Sequence, residues 1–524
     1  LKWIGQRVKK QWPKAALGLD GSESGLAALV ARADVRRGVI PPHPDWLRSQ
    51  ALENLRLGAT APLEAKVAEV AAGRGVTVIA GQQVALHGGP LYSVYKLISA
   101  VVLAERLEAE LGLPVLPVFW SVSDDSDFGE VSSTWLARPE GRLIKLRDEE
   151  TPPSGTRIGT LSSQRQDNAI REHMSMLAQL PFGASVLERL AAIETKATNW
   201  QEFQTTLFHR LLPEREFLVV DGGDPELLEL VDPWLRRVGQ ADSLREDLAA
   251  GAEASRSLDL EPSFEPDLAE RALFRIEGDL RLAVEGDPNL ASGPLAPNVV
   301  LRPLLQDYVL PNVATVCGPS EIRYRAQLGP VYAKRNIPEP LRVPRYSAVL
   351  APTLREERAS RDLAGYSSLL DEPKQFVKAQ IESEAAPAAQ TALVETREDV
   401  RARVAGLLSE LEEIDKSLPQ LITSAAGKAD YQFERMLEGI RGKQRQQLLK
   451  REPILAALAD WVRPREREQE RVLSALMPVW LEGWGAFEPI VESAAGNLEP
   501  FLSGKPDECQ EVFLLDSFSS EDAS

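Results

Sequence analysis

Four carboxylates fall close together at Asp124, Asp125, Asp127 and Glu130. Such a run can bind Mg²⁺, grip a substrate amine or supply a general base. It can equally be a solvated acidic loop in which an Asp caps a helix. A second polar stretch runs from Gly81 through Gln82, Gln83 and His87 to Gly89 and Pro90, with Tyr92 and Lys96 just beyond. A Gly-rich connection that ends in Pro at a helix start can offer backbone N–H groups to an anion, and Lys96 could face a phosphate. His87 reads as a polar ligand to phosphate or as a plain loop residue. The G-x-x-x-x-G-K-[ST] phosphate-loop pattern is absent, so a tight turn without a ligand competes with this reading. Arg302, Gln306 and Asp307 follow a strand-like run. Arg302 could hold a carboxylate in a bidentate fork or close an internal salt bridge. Cys317 could be a nucleophile, but no partner His accompanies it, and a small packed thiol is the stronger reading.

The elements that must position these groups belong to a long chain. Its 524 residues suggest two to four structural units at roughly 100–200 residues each. Apolar residues make up 44% and charged residues 26%, the balance of a folded globular protein. The net charge is −18, which argues against broad binding to nucleic acid or anionic membrane. Two cysteines and four histidines exclude a disulfide framework and a Cys-rich zinc site, and make a multi-His metal centre a poor fit. No signal-peptide run and no stretch of about 18 apolar residues is present. Together these features predict a cytosolic protein in a reducing compartment.

Residues 1–75 read as helical and connecting. Val76–Ala80 is short, β-branched and apolar on both faces, as a buried parallel strand should be. A helix over Leu91–Leu111 and a strand over Pro114–Trp120 complete a βαβ unit, which predicts a parallel sheet. In such sheets the ligand crevice lies at the carboxyl ends of the strands, where both the Gly81–Pro90 loop and the acidic run fall. Further strands are expected at Phe217–Asp221 and Val313–Val316, a hairpin near Phe274–Val284, and a helix from Ser320 to about Lys334.

From about Asp371 the apolar period becomes heptad-like. Leu393, Val400, Val404, Leu407, Leu411, Ile414, Leu418 and Leu421 form one series. A second runs through Phe433, Leu437, Ile440, Ile454, Leu458 and Trp461, interrupted by Gln444, Gln447 and Arg451. With Gly427 as the turn, this predicts an antiparallel hairpin with arms of around 40 residues, roughly 60 Å each. Pro419 and Pro453 should kink or segment the arms. A helix over Glu466–Leu481 returns to the body, and Glu511–Leu515 adds a last strand to the sheet. The tail after it should fray. The division is then a core over 1–370 with insertions at about 131–210 and 226–295, a helical hairpin over 371–465, and a completing segment over 466–524.

The segments resemble, in order along the chain, the bacillithiol biosynthesis cysteine-adding enzyme family. Gly81-Gln82-Gln83 with Gly89-Pro90-Leu91-Tyr92 and Lys96 carries the first likeness. Pro117-Val118-Phe119-Trp120 with Asp125 and Asp127-Phe128 carries the second. Asn298 to Arg302-Pro303 with Gln306-Asp307-Tyr308 is the third, and Gly318-Pro319 with Glu321-Ile322 is the fourth. Val343-Pro344-Arg345 and Gln469-Glu470-Arg471 also fit. The resemblance implies an α/β fold: a Rossmann-like parallel-sheet core related to class I synthetases and nucleotidyltransferases, with connecting insertions and an antiparallel coiled coil used for homodimerisation. It implies a ligase that joins the carboxyl group of L-cysteine to the amine of glucosaminyl-malate. ATP-dependent activation is the natural supposition for such a step, with ATP or ADP as the nucleotide and a need for Mg²⁺ left open. Asp124, Asp125 and Asp127 would then hold the amine or act as base. The Gly81–Pro90 loop with Tyr92, Lys96 and Trp120, together with Arg302, Gln306, Gly318, Glu321 and Arg345, would bind phosphate or substrate. The family usually has Glu-Asp-His-Asp in the acidic loop, whereas this chain has Ser126 at the His position. That change leaves open a substitute role for His87. It also leaves open a non-catalytic homologue that binds a nucleotide or thiol metabolite and acts through its coiled coil.

Overall fold

The computed structural model describes residues 2–20, 23–138, 142–284, 287–352, 372–383, 387–451, 453–504 and 507–515. The chain divides into two compact units. One comprises Leu1–Arg138, Leu143–Ala351 and Arg467–Ser524; the other comprises Pro139–Arg142 and Pro352–Glu466.

The larger unit is built on five parallel strands. In chain order the strands of this unit are β1 (Lys2–Gln11), β2 (Val76–Gln83), β3 (Val115–Val122), β4 (Ser133–Ala137), β5 (Leu143–Arg147), β6 (Leu218–Asp221), β7 (Leu273–Glu277), β8 (Leu280–Ala283), β9 (Leu295–Pro297), β10 (Asn312–Cys317), β11 (Leu341–Pro344), β12 (Ala348–Pro352) and β13 (Asp507–Leu515). The central sheet has the order β11-β10-β2-β3-β6, every pair parallel. The chain winds outward from β2 through β3 to β6, then returns to the other side of β2 with β10 and β11. The winding therefore reverses between β2 and β10, the switch point at which open α/β sheets bind ligands. β3 is buried along its whole length, which is why its sequence is a continuous apolar run. The helix Leu91–Leu111 packs on β2 and β3. On the opposite face, Trp46, Leu63 and Val67 join Ile79, Leu116, Val118 and Trp120 in one core cluster.

Two segments between strands of the central sheet carry further elements. One carries the antiparallel pair β4–β5 and several helices; the other carries a small sheet of order β8-β7-β9. Five expectations need correction. The chain start is not all helical, because Lys2–Gln11 pairs antiparallel with Asp507–Leu515. That last strand joins β1 and β12 in a separate sheet rather than extending the central one. The strand-like run after Asn298 is helical from Leu301, because the Asn298 side chain accepts from the N–H groups of Val300 and Leu301 and turns the chain. The expected return helix is two short 3₁₀ turns followed by Met477–Glu482. Its backbone is used elsewhere: Leu91 N–H donates to Leu473 O, and Ala475 N–H donates to Gly89 O. The helix expected to reach Lys334 is also broken, at Leu328 just before Gly329-Pro330.

The smaller unit is helical. Helix Pro387–Ile414 packs along helix Leu418–Arg451. Arg397 grips Asp430 at 2.6 and 2.9 Å, and Gln390 donates to Gln444 at 2.8 Å. The turn lies at Asp415–Ser417, not at Gly427. The Asp415 carboxylate accepts from the Ser417 N–H and hydroxyl, and Pro419 opens the next helix. A lone Gly costs only about 1 kcal/mol inside a helix, so a side-chain turn followed by Pro wins. Pro453 likewise opens a helix, Pro453–Val462. The expected boundary near 370 and the polar tail after Leu515 lie outside the described residues. Among the described residues no helix is long and apolar enough to cross a membrane.

Candidate active site

A cleft of about 410 Å³ opens at the carboxyl ends of β2, β3 and β10. Gly81 lets β2 pass under it: a Cβ there would stand 2.9 Å from the Trp120 carbonyl oxygen. Beyond Gly81 the side-chain amides of Gln82 and Gln83 form a chain whose direction is dictated. Lys96 is purely a donor. Its ammonium meets Gly81 O at 2.8 Å, Gln82 Oε1 at 3.0 Å and Glu321 Oε2 at 2.6 Å. Gln82 Oε1 is thereby an acceptor, so its Nε2 donates, to Tyr92 OH at 3.0 Å and Gln83 Oε1 at 3.1 Å. Gln83 Nε2 in turn donates to Asp125 Oδ2 and Glu130 Oε2, both at 2.9 Å.

The opposite wall is the helix Pro319–Gln327, which starts directly after β10. Glu321 reaches back to the Gly318 N–H at 2.8 Å and caps the helix. Arg325 donates to Gln306 at 2.8 Å and lies 3.7 Å from Asp307. Asp307 itself is fully buried, bound by Tyr332 OH and by Asn312 at 2.6 Å. It is therefore an internal anchor and does not line the cleft. Arg345 is held by Glu470 in a buried bidentate pair, and the Ser347 hydroxyl donates to the same carboxylate at 2.7 Å.

The acidic run separates into different roles. Asp124 lies beneath the cleft, only 1% exposed, with Oδ2 at 3.7 Å from both Arg281 and Arg302. Asp127 is exposed and accepts from the Glu130 N–H at 3.3 Å, capping the short helix Phe128–Val131. Asp125 and Glu130 face the cleft. Burial pushes the Asp125 carboxyl up, but Arg302, the Gln83 hydrogen bond, Arg281 and the Ser126 N–H outweigh it and hold the carboxyl below its usual range. Arg302 forms part of the cleft wall, and its buried Nε has no hydrogen-bond partner. The cleft thus sets an ionised carboxylate opposite a guanidinium with unused donors. That arrangement can hold an amine at one end and a carboxylate at the other.

The family description "Bacillithiol biosynthesis BshC, N-terminal Rossmann-like domain" matches residues 47–293 and 289–346. The chain belongs to the bacillithiol biosynthesis BshC family. It is similar to proteins named "Putative cysteine ligase BshC". The one from Heliobacterium modesticaldum is 31% identical over 59% of this chain and 65% of its own length. The one from Shouchella clausii is 27% identical over 80% and 82%, and that from Solibacter usitatus 27% identical over 76% and 79%. A solved chain titled as a putative arginyl t-RNA synthetase from Campylobacter jejuni aligns with a TM-score of 0.22 and 9% identity, too distant to bear on the fold.

The BshC segments converge on this cleft. Gly81, Gln82, Gln83, Tyr92, Lys96, Asp125, Arg302, Gln306, Gly318, Glu321 and Arg345 all line it. The others do not. Trp120 is a core residue. His87 is buried with its backbone at φ 49°; its ring Nε2 meets Gln166 O at 2.8 Å, and burial lowers its pKa to about 4. A buried, largely neutral ring held by Gln166 does not fit the substitute role left open for His87. Gly89 and Pro90 pair with Ala475 and Ser474. Most of the loop's backbone donors are used inside the protein. Its N–H groups at Ala85, His87, Gly88, Gly89 and Leu91 all donate within the protein, and the Lys96 ammonium already has an acceptor for each proton. Among the described residues no group of three or more His, Cys, Asp or Glu could hold a metal ion. Cys317 is a packed thiol, its pKa pushed up to about 12 by burial.

Sequence reading missed Tyr324 and Arg325 on the wall and Arg281 behind the acidic loop. Arg281 arrives from the β7–β8 hairpin, over 150 positions after Asp125, and no local pattern signals that meeting.

Proposed function

We propose that this BshC chain joins the carboxyl group of L-cysteine to the amine of glucosaminyl-malate. The observation that carries the reading is the placing of ionised Asp125 near the Arg302 guanidinium, whose Nε has no hydrogen-bond partner and whose nearest carboxylate, Asp124, stands 3.7 Å away, in a cleft at the sheet's switch point. Asp125, with Glu130 beside it, fits the acceptor amine and can take its proton, since an amine attacks only when unprotonated. Arg302 fits a carboxylate. Three other cleft cations have closer carboxylate partners than Arg302, which stands 3.7 Å from Asp124: Lys96 with Glu321, Arg345 with Glu470, and Arg471 with Glu468.

The test is product formation by the purified chain from cysteine and glucosaminyl-malate, followed by mass spectrometry. It is run with and without ATP and Mg²⁺, because among the described residues no group of three or more His, Cys, Asp or Glu could hold a metal ion. Absence of the amide product under every condition refutes the reading.

The helical hairpin is proposed as a homodimer element. Leu407, Ile414 and Leu421 continue the apolar period yet are 49%, 75% and 64% exposed. A second copy would cover them. Light scattering that gives a monomer mass would exclude this.

A further inference from the structure

The hydrogen-bond chain at the end of β2 has a consequence for Tyr92. Gln82 can only donate to the Tyr92 oxygen, because its own oxygen is fixed as an acceptor by Lys96. The Tyr92 hydroxyl proton must therefore point elsewhere. Among the described residues no protein acceptor lies within its reach, and the residue borders the cleft. We propose that Tyr92 donates its hydroxyl proton to a carboxylate oxygen of the bound substrate and so helps select for that group. This rests on the ligase reading of the same cleft and deepens it.

Charges of both signs surround the ring. Lys96 and Arg345 lie 5.8 Å, and Arg471 6.0 Å, from the centre of the Tyr92 ring. Glu130 and Glu321 are the facing acids. Burial first, then these two carboxylates, lift the phenol pKa to about 12 against Arg471 and Arg345. Tyr92 is therefore a donor throughout the physiological range and not a base. Both candidate substrates carry carboxylates: one on cysteine, two on the malate part of the sugar.

The experiment is calorimetric binding of cysteine and of glucosaminyl-malate, separately, to the wild-type chain, to Tyr92→Phe, and to protein carrying a fluorinated tyrosine at position 92. Loss of one hydrogen bond to a charged group should weaken one ligand by roughly ten- to hundredfold in Tyr92→Phe and leave the other unchanged. The ligand that weakens identifies whose carboxylate is held. The fluorinated phenol is more acidic, so the alkaline limb of binding for that ligand should move to lower pH. A tyrosine that merely packs, or merely accepts from Gln82, would not move that limb. Equal binding of both ligands by Tyr92→Phe, or an unmoved limb, overturns the proposal while ligation by the wild type keeps the function standing. Failure of the wild type to bind either ligand overturns both.

Discussion

Arg345 and Glu470, 125 positions apart, meet in a bidentate ion pair with side chains only 2% and 1% exposed. The pair ties the end of β11 to the segment Gln469–Arg471 beside the cleft. Two stretches that resemble the family separately thus recognise each other, and Arg345 reaches the cleft already neutralised. Removing one partner leaves a buried charge uncompensated, whereas removing both does not. Glu470→Gln should therefore lower stability by about 3–5 kcal/mol in urea unfolding, and Arg345→Met with Glu470→Met should recover most of that loss. A double variant no better than the single one would show that the pair is not the reason.

Lys96 should contribute to stability through its three acceptors. Lys96→Met leaves the Gly81 carbonyl, Gln82 Oε1 and Glu321 without their donor. Because Glu321 is a fifth exposed, the expected cost lies near the lower end for a buried pair, about 3 kcal/mol. Gln82 would then be free to flip, and the donors aimed at Asp125 and Glu130 would lose their fixed direction. Thermal unfolding reads the first effect; a rise in KM for the amine substrate reads the second.

On the proposed reading, Asp125 should set the acid limb of activity. Asp125→Asn should reduce kcat/KM by roughly 10²–10⁴, the range for losing a general base. Its carboxyl is held below the usual value chiefly by Arg302 among the favourable contributors. Arg302→Met should therefore shift the acid limb of kcat/KM to higher pH, while raising KM for the carboxylate. The same depressed pKa stabilises the fold at neutral pH. That contribution is lost as pH falls through the folded-state value, below the ordinary carboxylate range.

His87 should matter to stability and not to chemistry. Its folded pKa of about 4 lies below the ordinary 6.5. A histidine held neutral stabilises the fold above the ordinary value, and that stability drains away as pH falls from about 6.5 towards 4. His87→Asn tolerates the positive φ and removes the titration. It should flatten stability across that window while product forms at the wild-type rate. A slowed rate with unchanged substrate binding would return His87 to the reaction.

Composition, apolar period and turn residues determined the βαβ start, the parallel sheet, the insertions and the helical hairpin. These signals are local, so one strand or helix carries each of them. The same local signals located Gly81–Gln83, Asp125 and Arg302 at strand ends, where a doubly wound sheet must bind. They misplaced the hairpin turn, because heptad phase continues across Asp415–Ser417 while an Asp side chain and Pro419 decide where the chain reverses. They could not assign partners. Lys96 looked like a phosphate ligand until Glu321, from another strand–helix unit, supplied an acceptor for its remaining proton. Asp124, Asp125 and Asp127 looked alike until burial, a glutamine and a helix end gave them different work. How closely each cation is paired depends on which acids the tertiary fold brings within hydrogen-bond reach, and that distance is set by packing between segments far apart in the chain.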